Sequence, residues 1–542
     1  MPDSPAPTAS SRRSALAIAA CTALLGLIWR LVLVRVYFGH EEEDWGNLQM
    51  ARGVLDSGFR WIELEHMPGY LWMVAAVTAV VDDVELASRL VAVGMGTVTV
   101  ALVAWIGARW YGPLVGWLAG LLVAFQPEAA LYSATALRES SFTALLLLGV
   151  LLCGGRRFVL GGLVLAAGFL IRFNVAFSIL PALVIAALWM AKKDPIRGLR
   201  GPRGAWIAAA LVSATTLAWA VFYKQHPEGG TWAFWGGVMS RNTGSAVGDL
   251  TTQEHLMAVV HAVGGLLFRV FPSHVGPAAL LCAPLGVLAA WRALRSCADS
   301  PDREAVLRRA WLALCGLGTF GLLMTTALFS TYEWFHNLYW KWITPLVSFL
   351  ALLGVEGARQ LLAWLPAPAR RLRGALALVL MGTTLTVFAF QTRHQVQTSA
   401  RMYGAQVLLA RWIEDAWVPD VGVLGDGIPA WYLHREPTDI VTVPWTDDAV
   451  PSGDPEALGR WLNENRMGVV IHFRDAWFEA TTKAPFLGRP ETVDLGVVVL
   501  KPVAWSWEYG MLAYAVEQAH DVPPPTSHPP AGTWFPSPEW TP

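Results

Sequence analysis

Four carboxylates stand in a row at His40-Glu41-Glu42-Glu43-Asp44-Trp45, just past an apolar run over residues 14–38. Like charges this close repel, which favours keeping a proton on at least one of them. The group suits two tasks: a general base for a hydroxyl proton, or ligands for a hard divalent cation. A solvated acidic turn at a membrane surface is the plain alternative. Glu65 and His66 follow in the same loop as further candidates for a metal, although one acid and one His make a thin site. Arg89, Arg138, Arg172 and Lys341 lie at the ends of other apolar runs. Long cations in such places either snorkel as anchors or hold an anionic oxygen. Arg30 and Arg35, on the face of the first run, are read as anchors.

The elements that must carry these residues are membrane helices. Hydrophobic residues make up 54 % of the 542 and charged residues 15 %, against roughly 25 % charged in soluble proteins. The mean hydropathy is +0.43, and 28 Trp are available for two membrane–water interfaces. A net charge of -1 gives no footprint for nucleic acid. None of Cys21, Cys153, Cys282, Cys297 and Cys315 has CxxC spacing, which argues against a disulfide framework or zinc site.

Runs of spanning length lie at 14–38, 86–108, 113–131, 139–153, 158–171, 174–191, 204–223, 273–291, 310–329, 342–358 and 374–390. This makes about eleven spans, three of them short enough to need a thinned bilayer or adjacent polar residues. Loops on one side (1–13, 109–112, 154–157, 192–203, 292–309, 359–373) hold 19 Lys and Arg in 66 residues. Those on the other (39–85, 132–138, 172–173, 224–272, 330–341) hold 8 in 117. Positive charge stays in the cytoplasm, so the N-terminus is expected inside and residues after 390 outside a plasma (inner) membrane. The apolar stretch 68–81 is only about 20 Å long as a helix. Counting it as a span would invert every later loop, so it is laid along the outer surface. The first run is too long for a signal-peptide core and is read as an uncleaved anchor.

The expected organisation is a transmembrane domain over 1–390, with a first outer loop at 39–85, then an extracytoplasmic α/β domain over 391–521 and a Pro-rich tail over 522–542. In the second domain, strands are expected at 421–424, 440–443, 469–473 and 497–500, and helices at 400–417, 455–465 and 507–519. Asp454 before Pro455 marks a helix start. The tail has eight Pro in 21 residues and is expected to be extended and disordered. No catalytic constellation is visible in this domain, and a structural cap, or an acceptor-docking role, is its expected part.

Along the first domain, elements follow in a set order. The acidic cluster opens a helix, 45–58, that ends at Gly58. Next come Glu65-His66-Met67-Pro68-Gly69-Tyr70, then Glu85-Leu86-Ala87-Ser88-Arg89-Leu90 at the second span. Tyr132 to Phe142 opens the fourth, Arg172 lies between two short runs, and Tyr339-Trp340-Lys341-Trp342-Ile343-Thr344-Pro345 opens the tenth. This order resembles the GT-C membrane glycosyltransferases, in the branch of the protein O-mannosyltransferases and the lipid A aminoarabinose transferase, over roughly residues 14–360. In that family an acidic pair follows the first span. Its position falls on Glu43 and Asp44, here in reversed order and preceded by two more Glu. The family's second acid falls on Glu139, more often Asp there, and Lys341 stands where Arg is common.

The resemblance implies transfer of a sugar from a polyprenyl-phosphate donor to a hydroxyl of a lipid, glycan or protein acceptor, at the outer face and amid membrane lipids. A carboxylate takes the hydroxyl proton. Cations, here Arg89, Arg138, Arg172 and Lys341, hold the leaving phosphate. Single displacement inverts the anomeric carbon. The chain has no P-loop, which suits a donor activated by lipid rather than nucleotide. No cofactor is required by this chemistry beyond a candidate divalent cation. The competing readings are a transporter or flippase, which favours repeats and midplane acids, a glycan polymerase or ligase, and a non-catalytic envelope assembly protein whose outer domain is the working part.

Overall fold

The computed structural model describes residues 9–37, 42–59, 67–193, 198–225, 257, 260, 264, 277–295, 303–329, 332–364, 370–400, 405–416 and 422–425. From 441 onward it describes 441–443, 445, 447, 449–451, 453–473, 484–487, 491–506, 511–517 and 535–536. The chain divides into two compact units: Met1–Tyr37 with Met50–His394, and Phe38–Gln49 with Gln395–Pro542.

In the first unit the described residues of the expected spans are helical, save for a break inside 113–131. The described helices are α1 (Ala9–Val36), α2 (Glu42–Asp56, whose residues up to Gln49 belong to the second unit), α3 (Pro68–Val81), α4 (Val84–Trp110), α5 (Pro113–Phe125), α6 (Pro127–Leu131) and α7 (Glu139–Gly154). They continue as α8 (Phe158–Ile171), α9 (Asn174–Lys193), α10 (Pro202–Gln225), α11 (Pro277–Arg295), α12 (Arg303–Phe329), α13 (Tyr332–Trp364) and α14 (Arg370–Ser399). Among the described residues six helical segments are long and apolar enough to cross a membrane: Arg12–Val36, Val84–Trp110, Pro202–Phe222, Arg303–Met324, Thr344–Trp364 and Ala375–Ser399. The chain is thus a multi-pass membrane protein. The other five expected runs are helices of 13 to 20 residues.

Local chemistry sets several boundaries. α2 ends at Gly58 (φ 61), with Gly58 N–H bonded to Leu55 O and Phe59 N–H to Val54 O, the paired bonds of a Schellman turn. α3 begins with Pro68 at its first turn and stops at Asp82, in left-handed conformation. Asp83 then caps α4 by accepting from Leu86 N–H at 2.9 Å. The expected span 113–131 is not continuous. Pro127 has no N–H and forces the residue before it out of the helical region, so Gln126 is extended and the helix breaks into α5 and α6. Lys341 does not open a helix either: α13 starts nine residues earlier, at Tyr332.

The core of this unit gathers Val74, Val103, Leu146, Phe169, Leu183 and Phe349 from α3, α4, α7, α8, α9 and α13. α7 and α8 form an antiparallel hairpin, joined by a turn in which Arg156 is left-handed (φ 60).

The second unit contains α15 (Ala405–Ala416), α16 (Pro455–Glu464) and seven strands: β1 (Gly422–Leu424), β2 (Thr442–Val443), β3 (Met467–Phe473), β4 (Val493–Asp494), β5 (Val499–Ser506), β6 (Met511–Glu517) and β7 (Phe535–Pro536). The sheet order is β2-β1-β3-β6-β5-β4, with β7 also on β5. β1 runs parallel to β2 and β3, and the other pairs are antiparallel. Asp454 caps α16 through Glu456 N–H at 3.0 Å.

Two expectations for this unit are corrected. The stretch expected as a helix at 507–519 contains strand β6, flanked on both sides by β3 and β5. Its Met-Leu-Ala-Tyr-Ala-Val-Glu run suits either state by local propensity, and pairing on two edges decides for strand. The Pro-rich tail is not wholly irregular: Phe535 and Pro536 pair with Trp505 and Ala504 of β5. Pro is tolerated on such a short outermost strand because no ladder donor is needed on its free side.

Candidate functional site

The break at Gln126 and Pro127 starts the most polar buried segment described in the first unit. Residues 126–144 are buried throughout, save for half-buried Arg138, and they include Gln126, Glu128, Ser133, Thr135, Glu139, Ser140, Ser141 and Thr143. Polar groups out of water must find partners. Gln126 caps α6 by accepting from Ala129 N–H at 2.5 Å, and its amide donates to Glu128. Ser133 donates to Ala129 O, and Ser140 on the first turn of α7 donates to Ser133 Oγ at 3.1 Å.

Arg30 braces the same break. It is fully buried, so it is no snorkelling anchor, which corrects the sequence reading. Its guanidinium donates to Gly26 O at 3.1 Å on its own helix and, at 3.4 Å each, to Ala124 O at the end of α5 and Ala129 O in α6. Carbonyls stranded by a broken helix are thereby satisfied by a charge from α1. Gly96 of α4 makes room: a Cβ there would lie 2.2 Å from Ser133 Oγ and 2.7 Å from Arg30 Nε. Arg35 is exposed, as an anchor would be.

The hairpin of α7 and α8 brings Glu139 and Arg172 together. Glu139 is the first residue of α7 and Arg172 directly follows α8, so each charge sits at the helix end whose dipole favours it. Arg172 Nη1 donates to Glu139 Oε1, in an ion pair with both partners buried. Glu139 Oε2 has no hydrogen-bond partner among the described atoms, and neither do Thr135 Oγ1, Ser141 Oγ and Thr143 Oγ1 nearby in sequence. Buried polar atoms are rarely left so. An ion pair with one carboxylate oxygen held and the other open is suited to receiving a donor from outside. The Pro68-Gly69-Tyr70 turn at the start of α3 docks beside it. A Cβ on Gly69 would stand 2.8 Å from Leu170 O, two residues before Arg172.

The other candidates are placed as follows. Arg138 is the residue preceding α7 and sits beside Glu139 by chain connection. Arg89 is engaged elsewhere: it pairs with Glu85 at 2.8 Å and donates to Val34 O at 2.8 Å, tying α4 to α1. Glu43 and Asp44 lie in the first turn of α2, where the helix dipole favours carboxylates; their side chains lie outside the described residues. So does the side chain of Lys341, and Glu65 and His66 lie outside them altogether. Among the described residues no three His, Cys, Asp or Glu come together to hold a metal ion.

Sequence reasoning passed over Gln126 and Glu128, took Arg30 for an anchor, and singled out the Tyr132–Phe142 segment without giving Ser133 or Ser140 a part. A signal was present: Gln-Pro-Glu inside an apolar run is expensive in a bilayer and marks an interruption with a purpose.

No family model matches the chain, and no curated protein matches it. Among solved structures it is similar to ArnT from Cupriavidus metallidurans bound to undecaprenyl phosphate. The TM-score is 0.53 at 15 % identity, over 92 % of this chain and 97 % of that one. The apo form of ArnT from the same organism gives 0.54 at 14 % identity, with the same coverage. With this coverage, the fold is the GT-C fold that the order of sequence elements resembles.

Proposed function

We propose that the protein transfers a sugar from a polyprenyl-phosphate-linked donor to an acceptor hydroxyl on the extracytoplasmic face, with inversion. The observation that carries this reading is the buried Glu139–Arg172 pair, whose second carboxylate oxygen is open. ArnT, whose fold the chain shares, binds undecaprenyl phosphate. A lipid phosphate is also the ligand that cations at span ends fit best: its tail stays in the bilayer and its sugar projects into water.

In this reading a carboxylate of Glu43 or Asp44 takes the acceptor hydroxyl proton, and Glu139 accepts a hydrogen bond from the acceptor or donor sugar to orient it. Arg138, Arg172 and Lys341 hold the leaving phosphate as charge develops on it. Arg89, which pairs with Glu85 and donates to Val34 O, braces the α1–α4 contact instead. The acceptor is a lipid, glycan or protein. A divalent cation, if used, would draw on the acids of α2, and no step here requires one. The nineteen-to-eight charge asymmetry of the loops supports a cytoplasmic N-terminus and an extracytoplasmic second domain in the inner membrane. A C-terminal reporter that lights only in the cytoplasm should stay dark.

Glu43→Gln with Asp44→Asn keeps shape and removes charge. The double variant should lose roughly 10²–10⁴-fold in transfer rate, the usual share of general-base catalysis. Correct insertion is checked by its elution and melting profile. A rate within threefold of wild type would refute the base and move that role to Glu139.

A further inference from the structure

The opposite end of the α7–α8 hairpin holds a second feature of different character. A cavity of about 380 Å³ lies between the Gly154 end of α7, the start of α8, and α9, α11 and α12. From Glu139 it is separated by the length of α7, on the order of 20 Å for sixteen residues, so it is no part of the site above. Its wall is apolar: Trp189, Met190, Trp291, Leu294, Trp311 and Leu314 contribute most of the bulk. Its size falls in the ~300–1,000 Å³ range of ligand pockets. An apolar cavity of this kind excludes a polar ligand, which would forfeit its hydrogen bonds to water.

The lining carries one charge of each sign, and arginines gather at the same end of the helices. The two charged residues that line the cavity are Arg156 and Glu304, and Glu304 is already paired with Arg308. Arg156 sits in the α7–α8 turn, where it donates to Arg200 O at 3.2 Å. Around it the same end of the helices carries Arg157, Arg292, Arg295, Arg303 and Arg309. Arg295 lies over the Trp291 ring, 5.3 Å from its centroid. Arg309 caps α4 through Trp110 O at 2.6 Å, and Trp311 donates to Val150 O at 2.9 Å; both fix α12 against the wall.

An apolar slot between helices, lined by Arg156 and three tryptophans and with further arginines at the same end of the spans, matches one ligand chemistry. We propose that the cavity is a binding site for an anionic phospholipid of the leaflet on the Arg-rich side. One acyl chain fills the slot and the phosphate lies against Arg156. Basic pockets between membrane helices recognise anionic head groups in this way, and guanidinium–phosphate contacts are charge-assisted. The bound chain packs α11 and α12 onto the α7–α9 layer, filling space that would otherwise leave those walls without contacts.

The full chain, delipidated in a non-ionic detergent, is titrated with dioleoyl-phosphatidylglycerol and, separately, with dioleoyl-phosphatidylcholine. Lipid retained after re-purification and the unfolding midpoint are both measured. Phosphatidylglycerol should be retained and raise the midpoint, since a ligand bound only by the folded state stabilises it; phosphatidylcholine should do so at least tenfold less tightly. Arg156→Gln should lose about tenfold in phosphatidylglycerol affinity. Leu314→Trp, which fills the slot, should abolish the response, with Ala186→Leu as a milder filling variant should the first fail to insert. Equal retention of the two lipids would show only an ordinary lipid annulus and overturn the proposal. So would an undiminished phosphatidylglycerol response in the filled variant. Neither outcome bears on sugar transfer, which is assayed apart.

Discussion

The interior of the helical unit around α6 and α7 and the interior of the C-terminal sheet treat buried polar atoms differently. In the sheet unit, Trp445 donates its indole N–H to Ile471 O at 2.8 Å, and Tyr514 donates its hydroxyl to Leu487 O at 2.8 Å. Around them Leu424, Leu458, Val470 and Leu500 complete an apolar core. In the helical unit, an ion pair and several hydroxyls are buried with acceptor or donor capacity left over at Glu139, Thr135, Ser141 and Thr143. Asn463 Oδ1 of α16 is open as well, so the contrast is one of kind: the sheet core pairs its large aromatic donors, whereas the helical unit leaves open a carboxylate oxygen of a buried ion pair. Under the proposed function, the sheet's tyrosine and tryptophan serve stability and the helical unit's carboxylate serves the chemistry.

The strongest test removes one partner of the ion pair. Arg172→Met leaves Glu139 buried without its cation, and breaking a buried pair this way costs about 3–5 kcal/mol. The melting point should fall sharply and transfer should vanish. Adding Glu139→Gln should recover most of the stability and none of the transfer. Recovery of both would mean the pair is structural, like the sheet's hydrogen bonds.

A smaller effect is expected where the break is braced. Gly96→Val places carbon against Ser133 and Arg30, and overpacking of this sort costs typically 1–3 kcal/mol. Transfer should drop along with stability, because Ser133 is bonded to Ser140 at the start of α7. Unchanged transfer in a destabilised variant would detach the brace from the site.

The smallest effect belongs to the sheet. Tyr514→Phe strands the Leu487 carbonyl, a loss of roughly 1–2 kcal/mol, with transfer untouched. Burial, reinforced by the nearby Glu491 charge, pushes the Tyr514 hydroxyl above the ordinary tyrosine range. A group whose folded pKa is raised lends stability that is fully present below its unfolded value, near pH ~10, and is lost as pH rises beyond it. Alkaline destabilisation of the wild type above pH ~10 should therefore be blunted in Tyr514→Phe. Identical alkaline profiles would remove Tyr514 from that account.

Much of the fold was legible because a bilayer imposes a coarse code. Long apolar runs and the loop arginines marked the helices, and α3 appeared with the bounds read for it, because each signal depends only on local hydropathy and a Pro or Gly stop. The element order was enough to suggest the GT-C fold. Strand β6 was not legible, since Met-Leu-Ala-Tyr-Ala-Val-Glu has no local preference that outweighs pairing with β3 and β5. The site was legible in residue type and not in partnership. Glu139 and Arg172 each stood out at a span end, yet nothing within either segment says that the α7–α8 hairpin closes them into a pair. Arg30 read as an anchor because sequence gives a cation's distance along a helix and not what covers its face. The break at Pro127 exposed the Ala124 carbonyl, the short α6 offered that of Ala129, the glycine at 96 opened the space, and only the packing of α1, α4 and α5 decided that the guanidinium would turn inward to meet them.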